Sequence, residues 1–552
     1  MRTGGQILVD ALCIHGVDTV FCVPGESFLP VLDALYDCPE IRTISCRHES
    51  GAANMAEAYG KLTGKPGVVL VTRGPGACQA SVGIHTAQQD STPLLVLIGQ
   101  VDRDTRHREA FQEIDYRAFF GPICKWVVEI NQTKRVPELM SQAFHRCNNG
   151  RPGPVAVSLP EDLLGEQIDV SDSNPWQRVE SAPSKNAIQQ LWGLLNEAKR
   201  PLMILGGPGW SPQICADIQQ FAEQACLPVL SSYRCQDRFD NDHALYAGEL
   251  GTTTAPNLKQ RIKDADLIIS LGSRLGELTT QGYTLITPPN PVQKLIHIYP
   301  SADELGRVYQ MDLAICASVG EFAQAVANPP SIKTEQRQTW AESAHSDYVV
   351  QLNQWPHCTG DLDMAAVIAH LRDVLPDEAI LTTDAGNFAG WAQRFYQFRH
   401  YPTQLGPTSG AMGYGVPAAI AARLVNPQTP VIGFVGDGGA LMTGQEIATA
   451  VHYGIDPVII IVNNNMYGTI RMHQERDYPG RIHGTDLTNP EFTIWAKSFG
   501  AYGELVTRTE AFPQAFQNAR DAGRIAVLEL RIDAEAISAR TTLSALRENA
   551  RH

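Results

Sequence analysis

No Cys-x-x-Cys pair occurs in this chain, although it carries twelve cysteines. That removes sequence support for a zinc ribbon or a thioredoxin-type motif. The cysteines are scattered, and several sit in apolar stretches such as "TVFCVPG" (Cys22) and "LAICASVG" (Cys316), where buried free thiols are expected. Basic charge is also short: 44 Lys and Arg against 59 Asp and Glu leave a net charge of −15. That balance argues against nucleic acid or an anionic membrane surface as a partner. No apolar run has the length of a membrane span, and the start "MRTGGQILVDALCIHG" lacks the basic–apolar–small order of a secretory signal. The absences lead to the expectation of a reduced, cytoplasmic protein.

Fixed-period repeats are absent too, but a longer unit recurs. "PGVVLVTRGPGACQASVGIHTAQQDSTPLLVLIGQ" (66–100) runs apolar strand, Gly-rich turn, helix, Pro, apolar strand. The segments 200–233 and 430–465 repeat that order. Short, nearly continuous apolar strands suit a parallel sheet covered on both faces. Each unit reads as a βαβ crossover, so the expected fold class is α/β, with three doubly wound parallel-sheet domains. The polar, proline-containing stretches 169–186 and 326–339 place the domains at 1–168, 186–326 and 355–552, with a helix of the connection near 340–357.

The last unit carries the most specific pattern. Gly436-Asp437-Gly438 closes one apolar strand and Asn463-Asn464 closes the next, with Asp437 and Asn464 27 positions apart. In a parallel sheet both emerge at the carboxyl edge, where ligands of such folds bind. A carboxylate and an amide oxygen suit Mg²⁺, which takes few protein ligands beside phosphate oxygens. Gly438 and Gly439 open a helix whose free N–H groups would receive a diphosphate. A second stretch, "RHESGAANMAEAYG" (47–60), reads as a helix with Glu49 at its mouth and a face of Gly51, Ala52, Ala53 and Ala56 that demands a very close neighbour. Glu49 by itself reads equally as a first-turn glutamate favoured by the helix dipole.

The chain resembles, end to end, the acetolactate synthase-like group of thiamine-diphosphate (ThDP)-dependent 2-oxo acid decarboxylases and carboligases. "FCVPGE", "RHESGAANMAEAYG", "RGPGA", "AFQEID", "GRPGPVAVSLP", "TDAGN", "SGAMGYGVPAAI" and "GDGG…NNN" follow in that family's order. The resemblance implies a pyrimidine-binding first domain, a Rossmann-like central domain and a diphosphate-binding third domain. It also implies a homodimer or homotetramer whose active sites lie between subunits. Glu49 would face N1′ of the aminopyrimidine of a cofactor held by the other subunit, sharing a proton that lets the 4′-nitrogen act on the thiazolium. The small residues after it would pack against the dimer mate or within their own domain. Asp437, Asn464 and the backbone of Met466 would hold Mg²⁺. Asp384, Gly386, Asn387, Gly436, Gly438, Gly439, Tyr467 and Gly468 would border the diphosphate. Gly410 would offer its carbonyl to the 4′-amino group, with Met412 wedged beneath the thiazolium.

Other positions depart from the synthases. The second arginine of their Arg-Phe-Asp-Asp-Arg pattern is Leu278 here, although Arg274 remains, and two acceptor-selecting positions hold Thr469 and His473. Gln112 and Phe111 match pocket residues of the family. Glu26 stands where simple decarboxylases keep a proton-handling aspartate, and it reads equally as a solvated loop residue. His473 is either a proton carrier or a surface residue. "GGPGW" (206–210) and "GSR" (272–274) are compatible with a nucleotide, so FAD stays an open question. The expected function is a ThDP- and Mg²⁺-dependent carboligase acting on a pyruvate-like 2-oxo acid. A simple decarboxylase releasing an aldehyde, and a catalytically silent ThDP- or nucleotide-binding regulator, are the alternatives.

Overall fold

Three six-stranded sheets, all parallel, organise the chain. The computed structural model describes residues 1–330 and 334–550 of the 552. The first sheet comprises β1 (Thr19–Cys22), β2 (Arg42–Ser45), β3 (Gly67–Val71), β4 (Leu94–Gln100), β5 (Trp126–Glu129) and β6 (Pro154–Pro160), in the order β2-β1-β3-β4-β6-β5. The second holds β7 (Pro201–Leu205), β8 (Val229–Ser231), β9 (Tyr246–Glu249), β10 (Leu267–Leu271), β11 (Lys294–Tyr299) and β12 (Leu313–Cys316), in the Rossmann order β9-β8-β7-β10-β11-β12. The third holds β13 (Ile380–Thr383), β14 (Gln404–Leu405), β15 (Val431–Gly436), β16 (Val458–Asn463), β17 (Tyr502–Val506) and β18 (Ala526–Arg531). Its order, β14-β13-β15-β16-β18-β17, repeats that of the first sheet. The expected α/β class with doubly wound parallel sheets is what the chain adopts.

The apolar runs of the central strands are explained by two-sided burial. In β4, Leu94, Val96 and Ile98 belong to one core, while Leu95 and Leu97 belong to another. In β16, Ile459 and Ile461 join the same core as Leu94, whereas Val458, Ile460 and Val462 face away from it. The first and third sheets therefore share one central core. The helices Glu49–Thr63, Pro75–Asp90 and Gly415–Val425 fill it, packed on one another.

The close neighbours of the Ala/Gly face lie within this chain. A Cβ on Gly51 would come 2.4 Å from Glu446 Oε1 of the third domain, and one on Gly83 would come 2.6 Å from Ala53 Cβ. Within this chain the face therefore meets two neighbours: Gly83 of its own domain, as ordinary packing within one domain requires, and Glu446 of the third domain. A correction concerns Cys316. It ends the edge strand β12, where outward-facing residues alternate with buried ones, and its thiol is exposed, unlike that of Cys22.

The chain ends of the first domain are tied by an antiparallel pairing of Arg2–Thr3 with Gln167–Ile168. Residues 169–184 then run without regular structure to the helix Lys185–Glu197. The helix Gln338–Asn353 precedes the third domain, where a connecting helix was expected. No described helix is long and apolar enough to cross a membrane.

Candidate active site

Strands β13 and β15 are neighbours in the third sheet, and the chain leaves them in opposite directions, to β14 and to β16. Such a switch point opens a crevice at the carboxyl edge. A cavity of about 220 Å³ lies there, bordered by Gly386, Asn387, Met412, Asp437, Asn464 and Met466. Gly410, Gly436, Gly438, Gly439, Tyr467, Gly468 and Thr469 also line it.

Several walls are bare backbone for a steric reason. A Cβ on Gly439 would stand 2.0 Å from Asp384 Oδ2, and one on Gly438 would stand 2.6 Å from the Tyr467 ring. Asp437 begins the helix Asp437–Thr443, and its Oδ2 accepts from Asn489 Nδ2 at 2.8 Å. Burial pushes the Asp437 carboxyl above its ordinary value, against the Asn489 amide and backbone N–H groups that favour the anion. The side chain of Asn464 makes no hydrogen bond among the described residues. A buried carboxylate, an unused amide and the Met466 backbone, set at the start of the helix Asp437–Thr443, are a donor set that fits a small hard cation and a diphosphate.

Asp384 lies behind this wall and does not line it. It is wholly buried, its Oδ1 accepts from Tyr414 N at 2.8 Å, and its Oδ2 is left without a partner. Burial raises its pKa to about 6, although backbone donors and Arg234 pull the other way. Thr469 is tied to Asn387 in both directions: Asn387 N donates to Thr469 Oγ1, which donates to Asn387 Oδ1, each at 3.1 Å. His473 lies half-buried on the same helix, Gly468–Asp477, but does not line the cavity.

A second cluster forms around the turn that follows β3, Arg73-Gly74-Pro75-Gly76. Arg73 Nη2 lies 3.4 Å from Glu26 Oε1, and its Nε donates to Phe111 O at 3.3 Å. Gly74 has φ +60°, and a Cβ there would stand 2.8 Å from the backbone oxygen of Gln112. A Cβ on Gly76 would reach within 3.1 Å of Glu49 Oε1. Glu26, Glu49, Phe111 and Gln112 thus gather on one turn, and none of them lines the cavity of the third sheet. Glu49 is only 7% exposed, yet its carboxylate has no hydrogen-bonding or ionic partner among the described residues. A carboxylate that no protein group engages, at the mouth of an otherwise covered helix, is open to a group from outside this chain.

Three positioning residues were not singled out from the sequence. Glu446, fully buried, accepts from His48 N at 2.9 Å and Arg47 N at 3.1 Å, so the third domain anchors the start of the Glu49 helix. Asn54 Nδ2 donates to Gly413 O at 3.3 Å, joining that helix to the loop of Met412. Asn489 braces Asp437. A buried Asn inside an Ala/Gly face signals a partner in the sequence; lone Glu446 and Asn489 give no such signal.

The segments 206–210 and 272–274 meet at the carboxyl edge of the second sheet. A Cβ on Gly207, whose φ is +66°, would stand 1.8 Å from Gly272 O. Gly207, Gly272, Arg274 and Leu278 border a cavity of about 590 Å³, together with Lys61 of the first domain and Gly406 of the third.

Comparison with known proteins agrees with this arrangement. Residues 2–119 match the N-terminal TPP binding domain of thiamine pyrophosphate enzymes, 188–326 their central domain and 384–530 their C-terminal TPP binding domain. The chain is 32% identical over 529 residues to the acetolactate synthase large subunit of Parasynechococcus marenigrum, covering 92% of this chain and 84% of that one. It is 32% identical to the large subunit of Lactococcus lactis over 510 residues, covering 90% and 87%. It is also 32% identical to the isozyme 1 large subunit of Escherichia coli over 552 residues, covering 97% and 94%. The three-sheet fold, the cavity at the switch point and these matches place the chain in the acetolactate synthase-like family of thiamine-diphosphate-dependent enzymes.

Proposed function

We propose that this enzyme is a carboligase that decarboxylates a pyruvate-like 2-oxo acid and transfers the remaining fragment to a second carbonyl compound, with ThDP and Mg²⁺. The observation that carries the reading is the convergence of Asp437, Asn464, Met466 and the bare glycines on one cavity, in a chain whose relatives are named acetolactate synthases. Bound ThDP supplies the electron sink that makes loss of CO₂ from a 2-oxo acid feasible. In this reading Asp437, Asn464 and the Met466 carbonyl hold Mg²⁺. The N–H groups of Gly438 and Gly439 receive the diphosphate, and Gly386, Asn387, Gly436, Tyr467 and Gly468 border it. Asp384, set behind the wall, orients the loop of Gly413 and Tyr414 through its carboxylate. Met412 supports the thiazolium, and the Gly410 carbonyl receives the 4′-amino group.

Glu49 holds a proton at N1′ of the aminopyrimidine. Its cluster contributes no residue to the cavity's wall, which supports an active site completed by a second copy, as a homodimer or homotetramer. The units 1–168, 186–326 and 355–552 then serve as pyrimidine, central and diphosphate domains. Phe111 and Gln112 face the substrate, and Glu26 and His473 handle protons at the rim. Arg73, which holds both Glu26 and the Phe111 backbone, keeps that rim together. The cavity beside Gly207 and Gly272 has the size of a cofactor site. An absorption spectrum of the purified protein decides whether FAD occupies it.

The test is turnover of pyruvate by purified protein with ThDP and Mg²⁺, with products identified by NMR. Acetolactate supports the carboligase. Acetaldehyde as the sole product overturns it in favour of simple decarboxylation. Bound ThDP without turnover of any 2-oxo acid in a panel overturns both.

A further inference from the structure

Cys13 lies on the helix Gly4–Ile14, and Cys38 lies two residues past the helix Leu29–Tyr36, which packs against it. Their sulfurs are 2.9 Å apart. A disulfide bond is about 2.05 Å long, so less than an ångström of approach separates the two thiols from bonding. Among the described residues no other two thiols make such a contact. Cys13 is exposed and offers an entry for a small oxidant, whereas Cys38 is 9% exposed and shielded from direct attack. One accessible sulfur beside one sheltered sulfur is the arrangement of an attacking and a resolving thiol.

We infer that Cys13 and Cys38 form a reversible disulfide, a modification site separate from the ThDP machinery. The step balances with a low-molecular-weight disulfide as oxidant. The Cys13 sulfur, after loss of its proton, attacks one sulfur of that disulfide and expels the other half, which leaves as a thiol. The Cys38 sulfur then attacks Cys13, forms the Cys13–Cys38 bond and releases the second thiol. The pair loses two electrons and two protons, and the oxidant is reduced to two thiols. The Cys13 thiol is held up at about 12, by partial desolvation against its neighbours first and then by Cys38, Glu40 and Asp10. Thiolate is therefore scarce and the exchange is slow at neutral pH.

Closing this bond encloses the chain between positions 25 apart, including β1, Glu26 and the helix that follows it. A covalent loop removes freedom from the unfolded chain, so the oxidised form should resist unfolding better than the reduced one. The Glu26 segment becomes anchored at its far end.

The test is incubation of the full-length holoenzyme with oxidised glutathione, alkylation of free thiols and peptide mapping without reductant. Trypsin leaves Cys13, Cys22 and Cys38 in one peptide, 3–42, so further cleavage after Asp18 and after Glu26 is needed to separate all three. The expected result is a Cys13–Cys38 linkage at least about tenfold more abundant than any other disulfide, reversed by dithiothreitol, with a raised thermal midpoint. The Cys38→Ala variant should instead accumulate a persistent glutathione adduct on Cys13. Should that variant not fold, Cys13→Ser, altered at the exposed position, should abolish the linkage and leave Cys38 unmodified. A lasting glutathione adduct on Cys13 in the parent, a linkage to other cysteines, or no oxidation of either sulfur overturns the proposal.

Discussion

Asn489 holds Asp437 in place: its Nδ2 lies 2.8 Å from Asp437 Oδ2 and 3.0 Å from Asn463 Oδ1. A side chain from outside both motifs therefore binds the end of β15 to the end of β16. Asn489→Ala should leave Asp437 without its side-chain donor and loosen the spacing to Asn464. Groups that orient metal ligands are typically worth about 10–100-fold in affinity. A Mg²⁺ titration of ThDP binding, followed by fluorescence or circular dichroism, should shift by that factor while the unfolding midpoint moves little. An unchanged Mg²⁺ requirement would remove Asn489 from the site.

Glu49→Gln should separate chemistry from stability. The carboxylate has no hydrogen-bonding or ionic partner among the described residues, so an amide of the same shape removes no protein contact and should leave stability nearly unchanged. Turnover should fall by about 10²–10⁴ if the group moves a proton. Measuring kcat beside thermal unfolding reads both. Full activity in the variant would return Glu49 to an ordinary first-turn glutamate.

What could be read in the sequence followed from local chemistry. The apolar strands of 430–465 and their polar ends dictate a parallel crossover with Asp437 and Asn464 at one edge, because strand direction fixes which end carries the turn. The shared order of the first and third sheets could not be read that way. It depends on β14, two residues long, for which no periodicity exists. The Ala/Gly face announced a close neighbour but not its identity, since small side chains carry no information about what approaches them. Glu446 finds its donors on Arg47 and His48, 399 and 398 residues away in sequence. A single acidic residue gives no warning of such a partner.

Lys61 offers a test of that same domain junction. It lies 3.0 Å from Glu57 Oε1, pairs with Asp90 and donates to Gly406 O of the third domain at 3.0 Å. Glu57, wholly buried, also accepts from Tyr414 Oη at 2.6 Å. Burial pulls the Lys61 ammonium down, but Asp90 and Glu57 outweigh it and hold it above its ordinary value. Lys61→Met leaves two carboxylates without their cation, a change that costs about 3–5 kcal/mol in buried pairs. The urea midpoint of the first unfolding transition should drop accordingly. A shift no larger than that of a surface Lys→Met control would show the network to be solvated.

Glu249, at the end of β9, should give stability a pH dependence unrelated to catalysis. It is 7% exposed, its Oε1 has no partner and its Oε2 accepts from Thr253 Oγ1 at 2.8 Å. Burial raises its pKa from the ordinary 4.5 to about 7, against the opposing pull of Thr253, Arg234 and Arg540. Between those values the folded chain keeps a proton that the unfolded chain has released. The contribution to stability is therefore complete below the unfolded value and is lost as pH rises through 7. The slope is at most about 1.4 kcal/mol per pH unit. Glu249→Gln cannot ionise, so the difference between parent and variant isolates this group from every other titration. Urea midpoints at a series of pH values from acid to mildly alkaline should show the parent weakening relative to the variant as pH rises, with the divergence levelling off once the carboxyl is fully charged. Parallel curves for the two proteins would mean that Glu249 is already ionised in the fold, stabilised by Arg234 and Arg540 more strongly than burial opposes it.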